Sequence, residues 1–252
     1  MTLINVERIK LFSTRSPYWC LALVAVFGLG ISTLLSLVDG GAGASVAFSQ
    51  AGVGFELRVI LVMAALAMTT EYRFGTIRNS FLAVPKRSRV LAAKSITVAL
   101  VTFVVAAITS VLAYFLMAAI HGPRMEAGAM EVTSSADWRL LWAPAVACAV
   151  AAVLAVAIGT LIRQSAGAIA ALLIWPTLES LFPLFGNFGL RVAPWLPFNA
   201  STAFYSQGFG SQGGGILGNY PTPNWWQGGL VFLGITIVFY AAALVVLKRR
   251  DA

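Results

Sequence analysis

Charged residues are scarce in this 252-residue sequence. Aspartate, glutamate, lysine and arginine make up 10% of the chain, whereas hydrophobic residues make up 59% and the mean hydropathy is +0.86. A soluble domain averages about 25% charged residues, so the composition predicts an all-α integral membrane protein in a lipid bilayer. The net charge of +8 does not indicate nucleic acid, because the basic residues lie at the ends of apolar runs.

Residues that perform catalysis or bind metals are equally scarce. The chain has one histidine, His121, and two cysteines, Cys20 and Cys148, which both fall within apolar runs. One histidine cannot build a zinc protease site, and no lysine follows a glycine, so the phosphate-binding loop G-x-x-x-x-G-K-[ST] is absent. We therefore predict no catalytic residue, metal site or cofactor in this chain, although a serine–lysine pair stays open as a nucleophile. Any energy for uphill transport comes from another polypeptide.

Long apolar runs predict six transmembrane helices in a single domain, 1–252. The runs cover about 18–38, 50–70, 90–120, 138–162, the stretch from 166 onward, and 228–247. Thirteen of the seventeen Lys and Arg residues lie near the termini, in the loop 69–94 or at position 163. Because basic residues are enriched in cytoplasmic loops, we predict that the N and C termini are both cytoplasmic.

The second span is short and carries charge. Only twelve residues separate Arg58 from Glu71, which is about 18 Å of helix against a hydrocarbon core of about 30 Å. A spanning helix must therefore begin near Gln50 and carry Glu56 and Arg58 below the membrane surface. These side chains either snorkel to the surface or face a water-filled path or a partner helix, and the sequence favours neither alternative.

The stretch 181–227 is apolar and aromatic but interrupted by prolines and glycines, and Arg191 is its only charged residue. Irregular backbone at membrane depth must be shielded by protein or by water in a cavity. We therefore predict short re-entrant or interfacial helices on the outer side, before the sixth span.

The loop between the second and third spans reads TTEYRFGTIRNSFLAVPKRSRVLAAK and carries six basic residues. The 3.6-residue period predicts one helix over 70–82. Its apolar stripe consists of Phe74, Ile77 and Phe81, and a neighbouring face consists of Glu71, Gly75 and Arg78. Open water disfavours three large apolar side chains in a row, so we predict that an apolar partner covers the stripe. Gly75 has no side chain and is expected to allow close approach there.

This loop also carries a family resemblance. The string E-Y-R-x-G-T-I-R, followed by P-K-R-x-R and A-x-K ahead of a long apolar helix, resembles the membrane subunit of an ABC-2 type exporter. In that family the first cytoplasmic loop holds a coupling helix that docks on a separate ATPase subunit. The resemblance implies a coupling segment over 69–89 and an interfacial helix over 1–16. Together with the stripe, it assigns ATPase contacts to Glu71, Arg73, Phe74, Gly75, Thr76, Ile77, Arg78 and Phe81.

The resemblance implies a permease that moves a lipid-like or drug-like molecule out of the cytoplasm or the inner leaflet. Two such permease chains, identical or related, would work with two ATPase subunits that bind ATP and Mg, in the plasma membrane of a bacterium. The family's second and fifth helices line the transport path, which makes Glu56, Arg58 and Glu179 the path candidates. We expect Arg58 and Glu179 to lie close together, as an ion pair or as substrate contacts. In the competing account, Arg58 snorkels outward and Glu179 pairs with Arg191.

Two other functional classes stay open. An ion-gradient-driven secondary carrier is typically built from internal repeats and broken helices at mid-membrane, whereas this sequence shows no repeat and only its fifth span is broken. A non-transporting scaffold or intramembrane enzyme is the third class, and we find no catalytic constellation for it. A co-purifying ATPase with ATP hydrolysis would distinguish the exporter from the carrier.

Overall fold

The computed structural model describes residues 3–38, 45–84, 86–121, 130–206 and 222–249. Within these ranges the chain is almost entirely helical, and six segments are long and apolar enough to cross a membrane. They are Ser16–Val38, Val46–Arg73, Arg87–Ile120, Ser135–Ile162, Ser165–Trp195 and Trp225–Arg249. The predicted all-α architecture with six helices able to span a membrane is confirmed.

The described ranges contain eleven α-helices. The first five are α1 (Leu3–Phe12), α2 (Ser16–Val38), α3 (Val46–Ser49), α4 (Val53–Arg73) and α5 (Thr76–Ala83). The others are α6 (Arg87–His121), α7 (Ser135–Ile162), α8 (Ser165–Leu181), α9 (Gly186–Val192), α10 (Pro197–Tyr205) and α11 (Trp225–Arg249). We call the end of the bundle that carries α1, α5 and the start of α6 the α5 end, and the opposite end the α10 end.

α7 lies at the centre of the bundle and contacts α4, α6, α8, α10 and α11. The most apolar part of α7 is 67% buried, against 17% for the span that contains α8. Its buried face is rich in alanine, including Ala143, Ala147, Ala151 and Ala155. Small residues let helix backbones approach closely in a membrane, which is why this sequence takes the central position.

α2 and α4 approach each other closely where α4 begins. A Cβ atom at Gly52 would lie 2.5 Å from the carbonyl oxygen of Phe27 and 2.6 Å from that of Gly28, so only glycine fits there. The Gly52 N–H also donates to Ser32 Oγ at 3.3 Å. This contact holds the first turn of α4, which carries Glu56, against α2.

The loop between α4 and α6 does not form the single helix predicted over 70–82. α4 ends at Arg73, Gly75 adopts a φ of 68°, and α5 begins at Thr76. Glycine takes this left-handed conformation without the steric cost that other residues meet, so Gly75 serves as a turn residue. Apart from Gly75 itself and its two chain neighbours, no part of the described chain lies within 4 Å of a Cβ built on Gly75, so its role within the chain is not close packing.

Short helices occupy the described part of the predicted outer segment. α9 is flanked by 3₁₀ turns at Phe182–Phe185 and Ala193–Trp195, and α10 follows. Prolines stand in the first or second position of both turns and of α10, where the missing N–H costs no intrahelical hydrogen bond. Residues 207–221 of this segment lie outside the described residues, as do 1–2, 39–44, 85, 122–129 and 250–252.

Candidate functional site

Four charged side chains meet at the α5 end. Lys94 Nζ on α6 lies 2.6 Å from Glu7 Oε2 on α1 and 2.9 Å from Glu71 Oε1 on α4. Lys10 Nζ lies 2.9 Å from Glu7 Oε1 and 3.3 Å from Glu71 Oε1, and it donates to Ser80 Oγ at 2.8 Å. We call Glu7, Lys10, Glu71 and Lys94 the ion cluster. It connects α1, α4, α5 and α6.

Charge compensation makes the burial of the ion cluster tolerable. Glu7, Lys94 and Glu71 are only 3%, 4% and 8% exposed, and the two carboxylates balance the two ammonium groups. Burial alone would raise the pKa of Glu7, but the ammonium groups of Lys94 and Lys10 hold that pKa below its ordinary value. Burial alone would lower the pKa of Lys10, but Glu7 and Glu71 hold it above its ordinary value. Glu7 and Lys10 are therefore charged at neutral pH.

The ion cluster was not predicted from the sequence, although one signal for it was present. Apart from Asp251, Glu7 and Glu71 are the only acidic residues in the segments predicted to be cytoplasmic, where thirteen basic residues gather. An acidic residue that is isolated among cations at a helix end is a candidate for a specific ion pair. The sequence does not show which cation it meets.

The exposed part of the predicted coupling segment is smaller than the predicted stripe. Phe74 is 71% exposed, whereas Ile77 is 3% exposed. The prediction that these residues form one apolar stripe is wrong, because the turn at Gly75 separates α4 from α5. The side chains of Arg78 and Phe81 lie outside the described part of the structure.

Four of the predicted coupling residues are exposed at the turn: Arg73, Phe74, Gly75 and Thr76. The Arg73 guanidinium lies 5.6 Å from the centre of the Phe74 ring, within cation–π range. The Thr76 hydroxyl donates to the main-chain carbonyl of Glu71 at 3.5 Å, across the turn. The turn therefore presents an aromatic ring and a cation on a compact surface. Glu71 and Ile77 are buried behind this surface.

A cavity of about 830 Å³ lies beside the ion cluster, between α1, α4, α5 and α6. Much of its lining is apolar, and includes Leu3, Leu11, Met63, Leu66 and Val98. Hydroxyl groups and the ion cluster supply the polar part of the lining. The cavity therefore has the character of a site for an amphiphilic molecule.

Glu56 lies in the first turn of α4 and is 2% exposed. It packs against α2 at Gly28, where its carboxylate leaves no room for a Cβ atom. Its Oε2 has no hydrogen-bond partner among the described residues. Of the two predicted alternatives, the structure places Glu56 against a partner helix.

Arg58 and Glu179 do not form the predicted ion pair. Arg58 is exposed, donates to the carbonyl of Gly54 at 3.1 Å and lies 5.5 Å from the centre of the Phe55 ring. Glu179 is 1% exposed and forms no ion pair with Arg58 or Arg191 in the described ranges. Both predicted pairings of Glu179 are therefore wrong for this chain. Arg58 is turned outward because a flexible stem lets its charge reach a polar surface.

Glu179 instead binds the N-terminus of α10. Its Oε2 accepts from the main-chain N–H of Phe198 at 2.8 Å and of Asn199 at 2.9 Å. The first N–H groups of a helix have no partner within the helix and carry a partial positive charge. A buried carboxylate on α8 thus satisfies two of these groups and matches their charge.

Arg139 occupies the corresponding position at the C-terminus of α10. This residue on α7 is 8% exposed, and its Nη1 donates to the carbonyls of Phe204 at 2.5 Å and Ser206 at 2.9 Å. Its guanidinium also lies 5.8 Å from the centre of the Trp225 ring. We call Glu179 and Arg139 the α10 clamp. No functional role was predicted for Arg139 from the sequence.

The fold and these sites define a helical membrane protein with an ion cluster and a cavity beside the loop between its second and third spanning helices. Within the described ranges, no group of three or more His, Cys, Asp or Glu side chains is placed to hold a metal ion. No protein-family model matches the chain, and no curated protein matches it either.

Proposed function

We propose that this chain is the membrane subunit of an ABC-2 type exporter that moves a lipid-like or drug-like molecule out of the cytoplasm or the inner leaflet. Two such chains, identical or related, work with two ATPase subunits that bind ATP and Mg. One observation carries the proposal: the turn at Phe74 is exposed, and the ion cluster anchors the segments on either side of it. The same loop carries the sequence resemblance to the exporter family.

A coupling segment must transmit a displacement from its partner to the spanning helices. The ion cluster links the end of α4 to α1 and α6, and Lys10 links it to Ser80 of α5. A close-packed interior does not deform continuously. Helices that share buried, hydrogen-bonded charges are therefore expected to move together. In the proposed mechanism Phe74 and Arg73 contact the ATPase, while Glu71 positions the segment.

Glu56 supports a second candidate, an ion-gradient-driven carrier. A buried carboxyl group with an unpartnered oxygen is the kind of group that such a carrier protonates during transport. Glu56 does not line the cavity, however, and the sequence has no internal repeat. Purification distinguishes the candidates: the exporter co-purifies with an ATPase and hydrolyses ATP. The carrier instead drives uptake into liposomes under a pH gradient without ATP.

Cysteine labelling tests the proposed orientation. The natural cysteines, Cys20 and Cys148, are buried and are first replaced by alanine. A single cysteine is then placed at Arg89 or Thr133, which are exposed and lie at the α5 end and the opposite end. A membrane-impermeant maleimide should label Thr133→Cys in intact cells and Arg89→Cys only after lysis. The reverse pattern would place α5 outside the cell and exclude the exporter.

Replacing Phe74 tests the coupling surface. Phe74→Ser should insert normally but lower ATPase co-purification and substrate-stimulated hydrolysis by about thirtyfold, because a central aromatic anchor contributes about 2 kcal/mol to an interface. Phe185→Ser is the matched control, since Phe185 is 70% exposed and Phe74 is 71% exposed, at opposite ends of the bundle. Equal losses in the two variants would contradict a docking role for Phe74.

A further inference from the structure

The cavity at the α5 end offers hydroxyl groups that act as hydrogen-bond acceptors. Ser13, Thr70 and Thr97 line it, and their hydroxyls donate to nearby main-chain carbonyls at 2.7, 2.7 and 2.8 Å. A hydroxyl has one proton to donate and two lone pairs that accept. With the proton used within the protein, each of these three groups can only accept a hydrogen bond from a bound molecule.

The ion cluster adds further acceptors to the same lining. Glu7 and Glu71 both line the cavity, and Glu71 Oε2 has no hydrogen-bond partner among the described residues. Lys10 also lines the cavity, but its ammonium group already donates to Glu7 and Ser80 and lies 3.3 Å from Glu71. Lys94 lines the cavity as well, and its ammonium group donates to Glu7 and Glu71. The two ammonium groups and the two carboxylates leave the ion cluster without net charge, so a head group is recognised here by its hydrogen-bond donors and not by its net charge.

The size and the apolar lining of the cavity indicate what the remainder of the ligand is. About 830 Å³ falls within the range of about 300–1,000 Å³ that is usual for small-molecule sites. Met63, Leu66 and Val98 form part of an apolar wall that an alkyl chain can cover. Burying an alkyl chain against this wall removes apolar surface from water, which favours binding.

We propose that this cavity binds an amphiphile whose head group is a primary ammonium and whose alkyl chain lies against the apolar wall. The ammonium donates to the Thr70 hydroxyl and to the Glu71 carboxylate, whose Oε2 has no hydrogen-bond partner among the described residues. Two sources share this chemistry: a bilayer lipid with an ethanolamine head group, and a free lipophilic amine. The proposal concerns binding by this chain alone, so it stands or fails independently of ATP-driven export.

Two probes of equal charge and chain length test the head-group recognition. Dodecylamine donates N–H hydrogen bonds at neutral pH, whereas dodecyltrimethylammonium carries the same charge without any N–H group. Thermal stabilisation of the purified chain in a non-ionic detergent, measured against probe concentration, gives the apparent affinities. Dodecylamine should bind at least about tenfold more tightly, because hydrogen bonds to charged groups are lost with the methylated head. Equal affinities would overturn the proposal.

Substitutions in the lining of the cavity test whether the two probes bind there. Ala67→Phe fills the cavity and should weaken binding of both probes, whereas Leu100→Phe, at a position that is 55% exposed, should not. Thr70→Val removes one acceptor without filling the cavity and should reduce the preference for the primary amine. Thr33→Val is its control, because Thr33 makes the same hydrogen bond to the carbonyl four residues earlier, at 2.7 Å, away from the cavity. Unchanged binding in both Ala67→Phe and Thr70→Val would overturn the proposal.

The source of the ligand is determined in lipid nanodiscs. The chain is reconstituted with equal amounts of phosphatidylethanolamine and phosphatidylcholine, and the retained lipid is identified by native mass spectrometry. Selective retention of the ethanolamine lipid, lost in Ala67→Phe, supports the proposal with the bilayer as the source. Selective binding of dodecylamine without lipid retention supports it with a free amine as the ligand.

Discussion

Replacing Lys94 with methionine is expected to destabilise the protein by about 3–5 kcal/mol, because it removes the central cation of a buried ion cluster. Lys94 lies 2.6 Å from Glu7 and 2.9 Å from Glu71, and it is 4% exposed. Without it, two buried carboxylates share only Lys10. Thermal unfolding in detergent measures the change. Lys248→Met is the control: this exposed lysine near the end of α11 should contribute less than about 0.5 kcal/mol.

A double variant that restores the charge balance of the ion cluster tests the same prediction more sharply. The cluster has two carboxylates and two ammonium groups, so Lys94→Met leaves one uncompensated negative charge in the interior. Adding Glu7→Gln restores neutrality, and the double variant should be more stable than Lys94→Met alone. If the double variant is instead the least stable of the series, packing around Lys94 and not charge balance is the dominant contribution.

The pH dependence of stability follows from the pKa shifts in the cluster. The folded state lowers the pKa of Glu7, so its contribution is present above the ordinary value of 4.5 and is lost as the pH falls through the lower folded value. The folded state raises the pKa of Lys10, so its contribution is present below the ordinary value of 10.5 and is lost as the pH rises through the higher folded value. The contribution of Glu7 and Lys10 to stability should therefore be flat between these limits. In Lys94→Met the decline in acid should begin at a higher pH, because Glu7 has lost its closest cation.

Hydropathy was sufficient to predict the spanning helices, because each of them must satisfy its backbone internally over a long apolar run. The shortness of the second span also predicted that its helix begins near Gln50, and the structure extends this span back to Val46 through α3. This inference needed only the rise per residue and the positions of Arg58 and Glu71. Such predictions succeed because they depend on neighbouring residues in the chain.

The ion cluster and the α10 clamp could not be predicted in this way, because their partners are far apart in sequence. Glu7 and Lys94 are 87 positions apart, and Arg139 and Phe204 are 65 positions apart. The turn at Gly75 was missed for a different reason. The apolar period continues across the turn, and only the backbone conformation of Gly75 shows that the chain changes direction.

Replacing Arg139 with methionine is expected to loosen α10 at its C-terminus. α10 has nine residues, and isolated helices shorter than about 12–15 residues are marginal in water, so its stability depends on tertiary contacts. Methionine keeps much of the length of arginine but removes the hydrogen bonds that Arg139 donates to the carbonyls of Phe204 and Ser206. Hydrogen bonds to charged groups contribute about 1.5–3 kcal/mol, so amide hydrogen exchange within α10 should accelerate by about tenfold to a hundredfold.

Two variants of Glu179, at the N-terminus of α10, distinguish the contribution of hydrogen bonding from the contribution of charge. Glu179→Gln keeps an oxygen that can accept from Phe198 and Asn199 but removes the charge, so exchange in the first turn of α10 should rise only a few fold. Glu179→Leu removes both the acceptor oxygen and the charge, and it should accelerate exchange as much as Arg139→Met does. Arg191→Met is the control, because Arg191 is exposed and lies outside the clamp. Exchange is followed by mass spectrometry on peptides covering 197–206. If Arg139→Met and Arg191→Met give the same exchange in α10, packing against α7 and α11 holds the helix and the clamp does not.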